Sequence, residues 1–269
     1  MLIVACAVAG CAAAAQSNYA RFRANNASMA ALQPSWVGPV TQPDPRLGQA
    51  LRLSVANFTA PGAHTIEYGN GHGVSLIIER RFQLDIDSPA FFRNHSASAP
   101  DGFGNAGTQV KWRVASGNAE HGNYIVTAML YHGFAGGAAQ NGAFSSIWNP
   151  RISAGRAFSR FDVISDLGGS LPTAKIWEQG RAISWNTSGQ ARLNTHVQLD
   201  LENSTAFNRG GPFDGTTQNF LTPAAFYLIR RTSWGPTHAA VILDCGYQVA
   251  TTHFHPYNHN LITEMRVFF

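Results

Sequence analysis

Charge is scarce in this chain. Asp, Glu, Lys and Arg together make up 13% of its 269 residues, where ordinary soluble domains carry about 25%. Cysteine is scarcer, at three residues. Cys6 and Cys11 fall in the apolar N-terminal stretch, which leaves Cys245 without an intrachain partner and excludes a disulfide framework. Past that stretch no apolar run reaches the length of about 18 residues that a membrane-crossing helix needs, and the mean hydropathy is −0.11. Basic clusters are missing too. The net charge is +4 and the pI about 9.2, but Lys and Arg occur singly or in pairs, so there is no electrostatic footprint for nucleic acid. No phosphate-binding or dinucleotide glycine motif, H-E-x-x-H or CxxC pair is present. Ser170 in GGSLP closes a strand-like run ahead of Pro172 and is no nucleophile elbow. Neither an enzyme nor a cofactor is expected.

What the chain does contain is aromatic and glycine-rich. Its 17 Phe, 6 Trp, 7 Tyr and 45% hydrophobic residues argue against disorder. Low charge and abundant aromatics, without any long apolar run, suit a membrane β-barrel, whose apolar residues are diluted by alternation with polar ones.

Residues 1–15, MLIVACAVAGCAAAA, read as a signal peptide. Two processing readings stay open: an A-x-A site at Ala13-Ala14-Ala15 before Gln16, and a lipobox-like Val8-Ala9-Gly10-Cys11. Residues 16–48 hold NNAS, QPSW and GPVTQPDP with no sustained period, an extended lead-in punctuated by proline. Residues 49–269 read as strand and turn. In THVQLDLENSTAF, Thr195, Val197, Leu199 and Leu201 alternate with His196, Gln198, Asp200 and Glu202, a period no helix could segregate. The preceding AISWNTSGQAR alternates likewise, and a tight turn at Leu193-Asn194 joins the two. RFDVISDLGGSL, AAVILDCGYQVAT and QVKWRV follow the same rule, with LRLSVAN or HTIEYG, GVSLIIE, RFQLDID and a segment around residues 148–155 as shorter strands. In NYIVTAMLYHGFA and AAFYLIRR both registers are largely apolar, so their faces stay unassigned.

This reading yields about twelve strands whose connections alternate between short and long. Short ones fall at Arg80, 116–121, Gly155-Arg156, Leu193-Asn194 and 232–237. The expectation is all-β: one antiparallel up-and-down transmembrane barrel in the outer membrane, with short periplasmic turns and longer external loops. In the closing NLITEMRVFF one register is Leu261, Thr263, Met265, Val267 and Phe269, and the other Asn260, Ile262, Glu264, Arg266 and Phe268. Such a strand closes the barrel against the first one, places Phe269 in the inner aromatic girdle, and addresses the barrel assembly machinery. The partners expected are outer-membrane lipid, that machinery and a small solute.

SGNAEHGNYIVTA, SRFDVISDLGGSLPTAK, TPAAFYLIRR and HNLITEMRVFF resemble the meta-pathway of phenol degradation family, acidobacterial-type members in particular, over about residues 50–269. SLPTA stands where many members have a Leu-Pro-Thr-Gly turn. The resemblance implies a transporter-like outer-membrane barrel and is the sole ground for an aromatic or apolar solute. It transfers no binding residue.

The inward registers supply the candidate site residues Lys111, Arg113, Arg160, Asp162, Asp166, Arg192, His196, Gln198, Asp200, Glu202, Asp244, Gln248, Glu264 and Arg266. Both signs of charge are present, and two roles are compatible: a paired network that stiffens the barrel, and a lining for solute passage. His253, His255 and His259 in THFHPYNHN have a ligand-like spacing but no carboxylate or cysteine nearby, so an incidental loop is favoured over a metal site. The functional expectation is a passive porin or transporter-like channel. A structural or adhesive barrel with a plugged lumen, and a lipid-modifying barrel enzyme, are the alternatives.

Overall fold

The computed structural model describes residues 24, 26–69, 72–95, 100–137, 141, 145–232 and 239–269. The signal-peptide expectation and the turn expected at 232–237 therefore lie outside or largely outside the described residues.

The chain forms twelve antiparallel strands in sequential order. They are β1 (Ala50–Ala60), β2 (Ala63–Tyr68 and Gly73–Glu79), β3 (Phe82–Asp87 and Phe91–Asn94) and β4 (Gly102–Phe103 and Ala106–Gly117). These are followed by β5 (Tyr124–Phe134), β6 (Ile147–Phe158), β7 (Phe161–Pro172) and β8 (Arg181–Arg192). The last four are β9 (Val197–Arg209), β10 (Thr217–Thr232), β11 (Ala239–Ala250) and β12 (His259–Phe268). Strands β2, β3 and β4 are each interrupted once; both halves of β2 and of β3 keep the same neighbours, while Gly102–Phe103 of β4 pairs with β3 alone. β12 pairs with β1 from Ala50↔Phe268 to Thr59↔His259, so the sheet closes on itself. The chain is an all-β, closed, up-and-down barrel.

One end carries short turns: Arg80-Arg81, residues 118–123, Ser159-Arg160 and residues 193–196. The other carries longer loops, with a four-residue helix Ile176–Gln179 and a 3-10 turn Gly211–Phe213. Alternation is not strict, because β1 and β2 meet at the long-loop end through Pro61-Gly62 alone, where Gly62 takes φ 72°. The turn expected at Gly155-Arg156 is a correction. Gly155 sits within the ladder, paired with Ile125 and Ile164, and the turn comes four residues later.

Burial is inverted relative to a water-soluble protein. In β9 Gln198, Asp200 and Glu202 are buried while Leu199 and Leu201 are exposed. In β12 Arg266 is 5% exposed and Phe269, past the strand, 38%. Side chains alternate across each strand, and here the polar set turns inward and the apolar set outward. Exposed aromatics collect at both rims: Phe82, Tyr124, Phe158 and Phe161 toward the short turns, Tyr68, Phe103, Phe134 and Trp148 toward the loops. An apolar outer band between two aromatic girdles is the surface of a barrel surrounded by hydrocarbon.

Candidate functional site

Residues 26–48 occupy the lumen. Residues 26–30 form a helical turn at the short-turn end. The segment then climbs to about mid-barrel and returns to β1. Its two limbs are tied where Gln33 Nε2 donates to Leu47 O (2.5 Å) and Leu47 N donates to Gln33 Oε1 (3.0 Å). Proline spacing in QPSW and QPDP stiffens an extended chain that has few backbone partners of its own.

The barrel's inward positions differ with height, and that decides where the segment docks. Near the short turns three apolar patches interrupt inward positions that are otherwise polar, such as Gln83, Arg113, Asp162 and Gln198. Met29 packs on Leu47 and Ile77, Trp36 on Ile125 and Ile164, and Val37 on Phe226 and Ile242 with Phe268 beside them. Trp36 is 2% exposed, so its ring is removed from water as fully as any core side chain. Room for it comes from Gly155, where a Cβ would lie 2.9 Å from Trp36 Cζ2. We expect Gly155→Val to expel Trp36 at about 1–3 kcal/mol of overpacking. The check is cleavage of the lead-in at Arg46 by trypsin while the barrel keeps its heat-modifiable mobility. A lead-in as resistant as the parent's would show that the ring does not need this space.

Polar inward positions grip the segment along its length, at the tip above all. Glu202 accepts from the backbone N–H of Val40 (2.5 Å) and Thr41 (2.9 Å) and from the Thr41 hydroxyl. Arg266 donates to Gly38 O and Pro39 O, both at 2.8 Å, and pairs with Glu264 (3.0 Å) and Asp244 (3.2 Å). Lys111 Nζ donates to Asp44 O (3.1 Å), Thr127 Oγ1 to Pro45 O (2.5 Å), and Arg113 to Met29 O (3.3 Å). Within the segment Arg46 pairs with Asp44 at 2.7 Å. Burial works to raise the Asp44 carboxyl, but Arg46 and Lys111 outweigh it and hold the group below the usual carboxylate range.

Above the tip lies a cavity of about 680 Å3, bounded below by residues 39–46. Every charged residue of its wall is in an ion pair: Arg46 with Asp44, Arg52 with Asp87 (2.6 Å), Lys111 with Asp85 (3.6 Å), Arg151 with Asp166 (2.5 Å) and Arg266 with Glu264. The rest of the wall is mostly Ser, Thr, Asn and Gln. Four rings interrupt it, Phe58, Phe220, Tyr257 and Phe268, and three of them cluster: Tyr257, from the β11–β12 loop, stacks on Phe220 (4.7 Å between centroids) and meets Phe58 edge-on (4.9 Å). Tyr257 donates to Gln248 Oε1 at 2.5 Å, and burial pushes its phenol above the usual range, with Glu67 adding to the rise. A second space of about 400 Å3, lined by Gly69, Ser88, Ala90 and Asn105, sits behind the interruptions in β2, β3 and β4. It shares Pro43, Asp87, Gln109, Asn149 and Arg151 with the first.

Of the residues singled out from the sequence, Lys111, Arg113, Glu202 and Arg266 hold the lead-in. Asp166, Gln198, Asp200, Asp244, Gln248 and Glu264 belong to the wall, as in Ser188 Oγ donating to Asp200 (2.7 Å) and Asn186 to Asp166 (2.5 Å). Asp162 is 4% exposed. Arg160 is a correction: it is exposed in the Ser159-Arg160 turn, because the strand boundary lies beyond the point where Gly155 suggested a turn. Arg192, exposed at the end of β8 in the register of the buried Gln190, donates to Ser35 O of the lead-in (3.4 Å). His196 is a correction as well: it lies before β9 with Nδ1 2.9 Å from Leu228 O and its ring stacked on the exposed Tyr227. Sequence reading passed over Gln83, Asp85, Asp87 and Arg151, although Gln83, Asp85 and Asp87 alternate in RFQLDID. His255 lies against Thr252 O (2.7 Å) and Asn258 Oδ1 (2.9 Å), and among the described residues no group of three His, Cys, Asp or Glu is placed to hold a metal.

No family model and no curated protein matches the chain. Among solved structures it is similar to an outer membrane channel from Pseudomonas putida F1, at 13% identity over 87% of this chain and 100% of that one, with a TM-score of 0.49. It is also similar to OmpT, an outer membrane protein of Vibrio cholerae, at 8% identity over 86% and 100% of the two chains, with a TM-score of 0.37. At such values the fold rests on the strand pairing described above.

Proposed function

We propose that the chain is an outer-membrane, non-enzymatic transport barrel that takes small solutes from the long-loop side into the polar cavity and passes them inward when residues 26–48 yield. The short turns then face the periplasm. The observation that supports this best is the polar cavity enclosed by a barrel with an apolar exterior and bounded below by a segment held by side chains rather than woven into the sheet. A paired polar interior alone would stiffen a barrel without leaving such a space. The lining favours polar over apolar solutes. The apolar packing of Met29, Trp36, Val37 and Leu47 supports the other reading, a sealed structural barrel.

Conductance across a planar bilayer separates the two. The full chain is expected to conduct weakly, and a chain lacking residues 26–46 to conduct at least several-fold more and to admit small solutes into liposomes. Closure of both forms would leave the sealed barrel as the reading.

A further inference from the structure

We propose that the cavity above the lead-in is a binding site for a neutral, polyhydroxylated solute of the size of a mono- or disaccharide. This rests on the transport reading and names its solute class. Three independent features of the wall select that chemistry. Its charges are matched in the five ion pairs described above, so neither an anion nor a cation finds an uncompensated partner, and a charged solute would have to break a pair to enter. Side-chain oxygens of Gln42, Asn149, Ser184 and Asn260 belong to wall residues and have no hydrogen-bond partner among the described residues. Gln42 is 5% exposed and Asn260 3%. Three of these oxygens are acceptors only, so the group that satisfies them must donate. A solute with several hydroxyls does so, and an apolar ring leaves them unmet.

The third feature is the ring cluster. Asn260 pairs in the sheet with Phe58 on one side and Gln248 on the other. The unmet acceptor therefore neighbours the Phe58, Tyr257 and Phe220 rings and the Gln248 amide that Tyr257 holds. The C–H face of a sugar ring is apolar while its edge is a rim of hydroxyls, which matches an aromatic surface bordered by amides. The volume, about 680 Å3, lies within the range of about 300–1,000 Å3 in which small-molecule sites fall.

The test is calorimetric titration of the full chain, in a detergent without a sugar headgroup, with maltose and separately with phenol. Saturable maltose binding is expected, weakened at least tenfold in Tyr257→Leu and in Asn260→Leu, each checked for heat-modifiable mobility. If Tyr257→Leu fails to fold, Asn260→Leu, which keeps the size of the side chain and removes the acceptor, decides. No saturation with maltose, unchanged affinity in the folded variants, or phenol binding more tightly than maltose would overturn the proposal. Maltose binding without solute passage in the bilayer experiment overturns the transport reading alone. Passage without maltose binding overturns the solute class alone.

Discussion

Glu202→Leu is expected to raise conductance several-fold while the barrel stays folded. Glu202 is fully buried in β9 and is the acceptor for three donors at the lead-in tip: Val40 N, Thr41 N and the Thr41 hydroxyl. Leucine fills similar volume and accepts nothing. Each donor left unmet costs about 1–3 kcal/mol, and each 1.4 kcal/mol is about tenfold in an equilibrium. Two backbone donors therefore weaken docking of the tip on the order of a hundredfold. The anchors from Arg266 and Lys111 remain, so the segment loosens at its tip rather than leaving. Glu202→Gln keeps one acceptor oxygen and should fall between. Single-channel recording reads the change, and trypsin cleavage at Arg46 reports the loosening separately. Unchanged conductance in a folded Glu202→Leu barrel would mean that the tip is not the barrier.

Leu167→Arg is expected to lose about 2–4 kcal/mol of folding stability in lipid, the loss measured for arginine at the middle of a membrane barrel's outer face. Leu167 lies midway along β7, 53% exposed, between Ile152 of β6 and Trp185 of β8, which are exposed outward with it. The polar side chains nearest on that face, Ser165 and Thr187, are neutral, and the Ser165 hydroxyl already accepts from Trp185 Nε1 (3.0 Å). Leu199→Arg, near the short-turn end of β9, should lose less, since the loss falls to about 0–1 kcal/mol near the interface. Urea titration in lipid vesicles gives both values. Equal stability of Leu167→Arg and its parent would contradict a hydrocarbon surround, because a water-facing arginine at that position carries no such loss.

Alternation is a local property, and it made most of the wall legible. Leu199 and Leu201 against Gln198, Asp200 and Glu202, or Leu261 and Val267 against Glu264 and Arg266, define two faces from the period alone. A strand's side chains have only two directions, and one-residue slips put carboxylates into an apolar surround. Strand number, sequential order and closure by the last strand follow from that pattern plus connection length.

The lead-in has no period, so nothing local announces where it goes. Its position is decided by surfaces that exist only once the barrel has closed: Glu202, Arg266, Lys111 and Thr127 come from β9, β12, β4 and β5, far apart in the chain. The same docking explains the two ambiguous strands. In NYIVTAMLYHGFA and AAFYLIRR both registers are apolar because one faces outward and the other, at Ile125 and Phe226, buries Trp36 and Val37. It explains the misplaced turn as well, since Gly155 is small to admit the Trp36 ring and not to bend the chain. Sequence alone determined which residues alternate and hence the wall. Which inward residues meet protein and which meet open cavity was decided by the tertiary structure, because a side chain's partner across the lumen is set by barrel closure and not by its neighbours along the strand.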